Sequence, residues 1–317
     1  MALTNTFREI AIEMSPKQPM MVDQLLEEAP ILAMIPLEAA SNDLWNIYEE
    51  LDSVTGNGLV DIDDELPEVS SNSKLKQIDL SIIGGKQYVG EDKAKMFGGP
   101  AQYFAKKQSA ILKKTGMDAE TSVLYNNLRA FAIENDSSLT GAHAASAGGT
   151  GSTNYSILAV KWVPGEVTGL YSANGFGRGL LMDIQPINGG ELFEHSATTE
   201  EGTKSILSYG VRYKSYFGIQ LANARYVSTI VNIDIANDNL PSETQMDTLV
   251  TSVRGQLGGS TWLYMHPKVL TALQKYKAAS LRTTVEVMNN DRTFEAWNGI
   301  PILTSYNFKD GTEATVS

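Results

Sequence analysis

His143, His195 and His266 are the only side chains that could act as acid–base groups near neutral pH without a shifted pKa. No two of them have the spacing of a metal-binding pair such as HExxH. His143 sits among small residues in TGAHAAS and His195 in the polar stretch ELFEHSATTEE, so both are expected to face solvent. His266 immediately precedes Pro267 and is expected to serve helix entry. The run Asp61, Asp63, Asp64, Glu65 offers the oxygen ligands a hard cation such as calcium needs, but it lacks the glycine and distal glutamate of an EF-hand loop. Gly175, Gly177 and Gly179 with Arg178 suggest a phosphate cradle, yet no Lys-Ser or Lys-Thr follows, so a turn-rich loop is expected. The GxSxG elbow of serine hydrolases is absent, and without cysteine there is no thiol nucleophile, disulfide or zinc thiolate. These residue types argue for no catalytic residue, no metal site and no cofactor. Binding or assembly is the better reading, and a soluble enzyme using the glycine loop or the acidic run is the alternative from another class.

The 317 residues, 42% of them hydrophobic, can fill real cores. A net charge of -12 repels phosphate backbones, which argues against sequence-specific nucleic-acid binding. No segment approaches the roughly 18 consecutive apolar residues of a membrane span, and the N-terminus lacks the pattern of a secretion signal. Charge is distributed in blocks. Residues 41–70 hold nine acidic side chains and no lysine or arginine, whereas Lys74–Lys114 holds nine lysines against Asp79, Glu91 and Asp92, a local net charge of 9 − 3 = +6.

The elements that must position these groups follow from periodicity and punctuation. Pro16, Pro19, Pro30 and Pro36 break residues 1–40 into an extended arm with one short helix near Leu25 and Leu26. NDLWNIYEEL and the alternating LKQIDLSIIGGKQYVG predict a long two-stranded hairpin with an acidic tip. Two strands cannot bury both faces of their ladder, so the hairpin must lie on something, and a neighbouring subunit suits it best. Pro100 predicts a helix start and Gly116 a stop, with Asp118 capping a second segment in which Leu124, Leu128 and Phe131 recur; together they form one long broken helix. YSILAVKWV, VTGLYS and YGVRYKSYFGIQLANARYVSTIVNI read as strands, with GFGRGLLMDIQPINGGELFEHSATTEEGTK an exposed excursion between them. Ser242 and Gln245 have capping-box spacing ahead of the stripe Met246, Leu249, Val250, Val253, Leu257, with a stop at Gly258 and Gly259. Pro267 opens a helix with Val269, Leu270, Leu273 and Tyr276 inward, and the strands STWLYM and IPILTS complete an α+β unit.

In this order of segments the chain resembles tailed-bacteriophage major capsid proteins of the Hong Kong 97-type fold. It is similar in particular to the podophage epsilon-fifteen-type family, through YSILAVKWVPGEVTGLYSANGFGRG, the long strand stretch, WLYMHPKVLTALQKYK and WNGIPILTSYNF. The resemblance implies an N-terminal arm (1–40), an E-loop hairpin (41–97), a spine helix (98–137), P-domain strands with the excursion (138–239) and an A-domain (240–317). It implies a non-enzymatic shell protein of the virion, assembled in the host cytoplasm as pentamers and hexamers around double-stranded DNA. Scaffold, portal and decoration proteins are candidate partners, with no membrane among them. An encapsulin-like nanocompartment shell is the alternative of the same fold. The opposed charge blocks name candidate inter-subunit contacts: Asp61, Asp63, Asp64 and Glu65 on the hairpin tip, and Lys106, Lys107, Lys113 and Lys114 on the helix.

Overall fold

The computed structural model describes residues 27–56, 60–61, 65, 68–172, 182–199, 202–253, 260–273, 286–288 and 292–317. In chain order these form α1 (Pro30–Met34), β1 (Leu37–Ala39), β2 (Trp45–Thr55), β3 (Ser70–Asp79), β4 (Ser81–Gly90), α2 (Glu91–Met96) and α3 (Pro100–Ser122). A π-helical segment (Val123–Arg129), α4 (Ala130–Asn135), β5 (Ala144–Ser146), β6 (Tyr155–Trp162), β7 (Val167–Tyr171), β8 (Met182–Pro186), β9 (Phe193–Thr199), β10 (Gly202–Leu221) and β11 (Val227–Ile233) follow. The rest comprises α5 (Glu243–Ser252), β12 (Ser260–Met265), α6 (Pro267–Leu273), β13 (Glu286–Met288), β14 (Arg292–Trp297) and β15 (Ile300–Thr304). The short helix expected near Leu25 and Leu26 falls outside the described residues, and α1 begins at Pro30.

The seven-stranded sheet has the order β13-β14-β15-β12-β6-β11-β5. All eight residues of β6 are buried, because both its faces are covered. Leu158, Val160 and Trp162 pack with Leu112, Leu124 and Leu128 of the long helix and with α1, while Tyr155, Ile157 and Ala159 pack with Met246, Leu249 and Val250 of α5 and Val269 of α6. The apolar run Ile157, Leu158, Ala159, Val160 within YSILAVKW thus reads as a strand between two helical layers. Ser242 and Gln245 complete the capping box that starts α5. Met246, Leu249, Val250 and Val253 are buried there, while Leu257, Gly258, Gly259 and Tyr276 lie outside the described residues.

The second sheet is organised by the 20-residue β10. On one edge β10 pairs with β4, and on the other with β9, β8 and β7 in succession; β1 adds to β7 in parallel. The exposed excursion expected between β7 and β10 is therefore corrected at Met182–Pro186 and Phe193–Thr199. Both are strands, because β10 is long enough to offer its backbone to three partners along one edge. β10 and β11, read as one stretch, belong to different sheets, parted by the turn at Ala224–Tyr226.

Gly116 does not stop the long helix, and Asp118 caps nothing. The helix continues from Pro100 to Asn135, regular through Gly116 and Asp118, and its one irregularity is the π segment further on at Val123–Arg129. Leu112, Gly116 and Glu120 lie on its buried face, and packing there outweighs the roughly 1 kcal/mol that a helical glycine costs. Asp118 instead accepts a hydrogen bond from Lys114 one turn earlier, at 2.5 Å. None of the described helices is long and apolar enough to cross a membrane.

Candidate assembly surfaces

Hydrogen bonds at its root tie the hairpin to the body. β2 and β3 pair antiparallel from Trp45↔Asp79 to Thr55↔Ser70, with a bulge between Leu51 and Ser53. At Leu80 the alternating run expected as one strand divides, and β4 turns into the sheet against β10. The division has a steric basis: a Cβ at Gly218 would lie 2.6 Å from Leu80 Cδ2, so the missing side chain on β10 makes room for Leu80. Leu80 N–H donates to Leu44 O, and Asn46 Nδ2 donates to Gln220 Oε1 at 2.6 Å.

Beyond the root, β3 is exposed along almost its whole length. Strand alternation puts Trp45 and Ile47 on one face of the ladder with Gln77 and Leu75 opposite, and Asn46 and Tyr48 with Lys76 on the other. Ile47 is 43% exposed and Leu75 77%. Large apolar side chains on the first face are thus left to water by their own chain.

Of the acidic run, Asp61 and Glu65 are exposed, while Asp63 and Asp64 lie outside the described residues, as do Gly175, Gly177, Arg178 and Gly179. On α3, Lys106, Lys107 and Lys114 are exposed and Lys113 is half-buried. Lys113 pairs with Glu27 at 2.8 Å and Lys114 with Asp118 at 2.5 Å. Among the described residues no ion pair joins Asp61 or Glu65 to any of these four lysines.

The histidines correct two expectations. His195 is half-buried and stacks on Tyr88, with ring centres 3.9 Å apart, because β9 lies beside β10 instead of looping into water. His143 is also half-buried, with a buried Nδ1 that has no hydrogen-bond partner. His266 is 2% exposed, and its Nδ1 accepts from Lys268 N–H at 3.1 Å, a side-chain cap on the first turn of α6. Burial pushes its pKa below the ordinary 6.5, which suits an acceptor.

Three buried carboxylates, which composition alone gave no reason to single out, hold the body together. Glu120, in mid-helix, accepts from Ile31 N–H (2.8 Å), Leu32 N–H (3.0 Å), the Ser305 hydroxyl and Asn307 Nδ2 (3.0 Å). Burial pushes its pKa up against those hydrogen bonds. Asp136 gathers Thr140, Gly141, His143 and Ala144 N–H groups at 3.0–3.1 Å. Glu313 accepts from Tyr125 (2.6 Å) and the Ser156 hydroxyl and lies 3.4 Å from Arg129. Their sequence signal would have been an acid set within an apolar periodic stretch, and only Glu120 carries it.

Among the described residues, no three His, Asp or Glu side chains converge as metal ligands would. A cleft of about 680 Å³ opens between Tyr155, Pro267, Lys268, Tyr306 and Asp310. Its charged groups are already spent: Lys268 pairs with Asp310 at 2.6 Å, and Tyr155 donates to the same carboxylate.

The family model described as "Major capsid protein GP7" matches residues 70–317. Among solved structures, a chain of the bacteriophage Epsilon15 structure superposes with a TM-score of 0.54 at 15% identity, covering 88% of each chain, which shows the fold. The capsid of bacteriophage JBD30 decorated with minor capsid protein trimers matches at a TM-score of 0.48 and 8% identity, over 96% of this chain and 95% of that one. The SrpI encapsulin of Synechococcus elongatus PCC 7942 matches at 0.39 and 10%, over 65% and 88%. Among curated proteins nothing matches.

Proposed function

Since the chain belongs to the major capsid protein GP7 family and is a Hong Kong 97-like structural protein of a tailed-phage shell, we propose that its subunits close that shell by covering one another's hairpins. One observation carries the docking. The β2–β3 ladder leaves Ile47 and Leu75 in water, and an isolated two-stranded ladder is marginal unless something covers a face. A second copy is present at every contact of a closed assembly and meets the need repeatedly. Opposed charge supports the pairing: the acidic tip with Asp61, Asp63, Asp64 and Glu65 faces a chain whose long helix carries Lys106, Lys107, Lys113 and Lys114.

On this reading the subunits form pentamers and hexamers in the host cytoplasm, without catalysis or cofactor. They enclose double-stranded DNA that their net charge of -12 does not grip sequence-specifically, and the same composition lets the genome slide. The hairpin corresponds to the E-loop, and residues 98–137 to the spine helix, of the family fold. Scaffold, portal and decoration proteins are the partners that such a shell takes. The family match favours a phage shell over an encapsulin-like compartment.

The test is direct. Purified protein, with and without co-expressed scaffold, should form rings or closed particles in electron micrographs. A stable monomer at tens of micromolar across a salt series overturns the reading. Replacing Asp61, Asp63, Asp64 and Glu65 together by their amides should slow assembly, and added salt should mimic part of that loss, because charges beyond about 8 Å are screened at 0.15 M.

A further inference from the structure

The hairpin leaves the body through a joint made by Leu80, Gly218, Asn46 and Gln220. Leu80, the single residue between β3 and β4, sits over the notch that Gly218 leaves on β10. A Cβ at Gly218 would lie 2.6 Å from Leu80 Cδ2 and 3.7 Å from Leu80 Cα. Further along β10, at the next position on the same face, Gln220 Oε1 accepts from Asn46 Nδ2 at 2.6 Å. Leu80 closes one strand of the hairpin and Asn46 opens the other, so both strands are pinned to neighbouring positions of one long strand.

Neither anchor is free to turn. Gln220 is 2% exposed, and its Nε2 donates to Gly165 O in the turn between β6 and β7. Gly165 N–H in turn donates to Glu38 Oε2 of β1 at 3.0 Å. On the hairpin side, Asn46 Oδ1 accepts from Ser41 N–H at 2.9 Å, and Ser41 Oγ accepts from Ile47 N–H at 3.0 Å. Both amide side chains therefore have their two ends engaged and a single orientation. Gly218 pairs with Leu170 of β7, so the floor of the notch is continuous sheet.

What such a joint controls is direction. With about 3.3 Å per residue, the ten residues of β3 form a lever of roughly 33 Å, so a swing of about 10° at the root moves the far end by roughly 6 Å. In a closed assembly the same angle recurs in every subunit, and a small departure accumulates around the shell. Resting on the shell reading above, we infer that Leu80, Gly218, Asn46 and Gln220 are positioning residues that fix the angle of the hairpin to the body, and with it the curvature of the shell.

The notch can be crowded, emptied and refilled. Gly218→Ala pushes Leu80 out of it, Leu80→Ala empties it, and the two together return a methyl group to the space. Each single change should alter the angle and the pair should restore it. The sequence contains no cysteine, so spin labels at Ser73→Cys and Glu134→Cys, both at exposed positions, report the angle as one distance. Ser73 stands about 20 Å out along the lever, where a swing of about 10° moves the label by roughly 3 Å. Gly218→Ala should shift the distance by about that much. Leu80→Ala and Asn46→Ala, at half-buried positions that put folding less at risk, should broaden its distribution. In electron micrographs the single variants should give shells of altered or mixed size, and Gly218→Ala/Leu80→Ala shells of wild-type size. Unchanged distances in Gly218→Ala and Asn46→Ala overturn the joint, as does a double variant no nearer wild type than either parent. Altered distances with wild-type particles overturn the link to curvature. If wild type forms no particles, the shell reading falls and the curvature with it, while the labelled free chain still decides the joint: recovery of the distance in the double variant supports it, and its absence removes it.

Discussion

The hairpin and the C-terminal segment are both long excursions at the edge of the body, and they are held in opposite ways. Residues 305–317 form no regular strand, yet Ser305, Asn307, Asp310, Glu313 and Thr315 all hydrogen-bond to the rest of the body. Asn232, at φ 59 in the bulge of β11, exchanges two hydrogen bonds with Val316, Asn154 donates to Thr315, and Glu313 is buried among Tyr125, Ser156 and Arg129. The hairpin has an almost unbroken ladder and few side-chain partners in the body. Regular hydrogen bonding makes a segment straight, whereas buried side chains make it belong to a chain. The C-terminal segment is a strap of its own subunit, and the proposed docking makes the hairpin a limb for another.

Substitutions can sharpen that contrast, ranked by their effect on the unassembled chain. The largest is expected in the strap. Glu313→Ala strands Arg129, itself 15% exposed, and removes the acceptor of Tyr125, so stability should fall by roughly 3 kcal/mol, as for a buried pair that loses one member. Guanidinium unfolding should show a lowered midpoint at unchanged slope. A loss under about 0.5 kcal/mol, the size of an ordinary surface change, would erase the distinction between the two regions.

Asp136→Ala comes next, at roughly 2 kcal/mol for hydrogen bonds to a charged acceptor. Burial pushes this carboxyl's pKa up, but the N–H groups of His143, Thr140 and Ala144, with the Thr140 hydroxyl, outweigh it and hold the pKa far below the ordinary 3.8. The unfolded chain therefore takes up a proton as pH falls through that range while the folded chain does not. This share of stability is complete above about pH 4 and is lost on further acidification. Asp136→Asn should flatten that limb of the stability curve, and an unchanged acid limb would show that the loop does not depend on the charge.

How much of this was legible in the sequence depends on the kind of signal each residue carried. β6 declared itself through an apolar run, α5 through Ser242 and Gln245, and the hairpin strands through alternation, because each signal is local. The missed features are tertiary. Gly116 looks like a stop until the neighbours of Leu112 and Glu120 are known, and β8 and β9 look like loop until β10 offers them an edge. The candidate assembly surface was half legible. The charge blocks pointed to the tip and the helix, but only the contacts with Glu27 and Asp118 separate Lys113 and Lys114 from Lys106 and Lys107.

A smaller effect is expected at His266, whose Nδ1 caps α6. His266→Ala should cost about 1 kcal/mol, the usual worth of a cap. The folded pKa lies below 6.5, so the cap's contribution is intact above that value and declines as pH falls toward the folded pKa, because the unfolded chain binds the proton first. Unfolding midpoints at pH 7.5 and 5.5 should converge for the variant relative to wild type. Equal pH sensitivity in both would assign the cap no role.

The smallest effect on the isolated chain is expected in the hairpin, and there the comparison is sharpest. Ile47 and Leu75 are exposed before assembly, so Ile47→Ser and Leu75→Ser remove little buried area and should change stability by no more than about 0.5 kcal/mol. Once a neighbour covers that face, the same side chains are buried, and each fully buried Leu or Ile contributes roughly 1.5–3 kcal/mol relative to exposure. The double variant should thus melt like wild type as free protein yet fail to close particles, or require far higher protein concentration to do so. Glu313→Ala should show the reverse, an unstable chain whose folded fraction still assembles. If Ile47→Ser/Leu75→Ser destabilises the free chain as much as Glu313→Ala does, the hairpin is packed on its own body and is no limb. If it leaves both stability and assembly untouched, the exposed face meets nothing, and the coverage of one subunit's hairpin by the next must be abandoned.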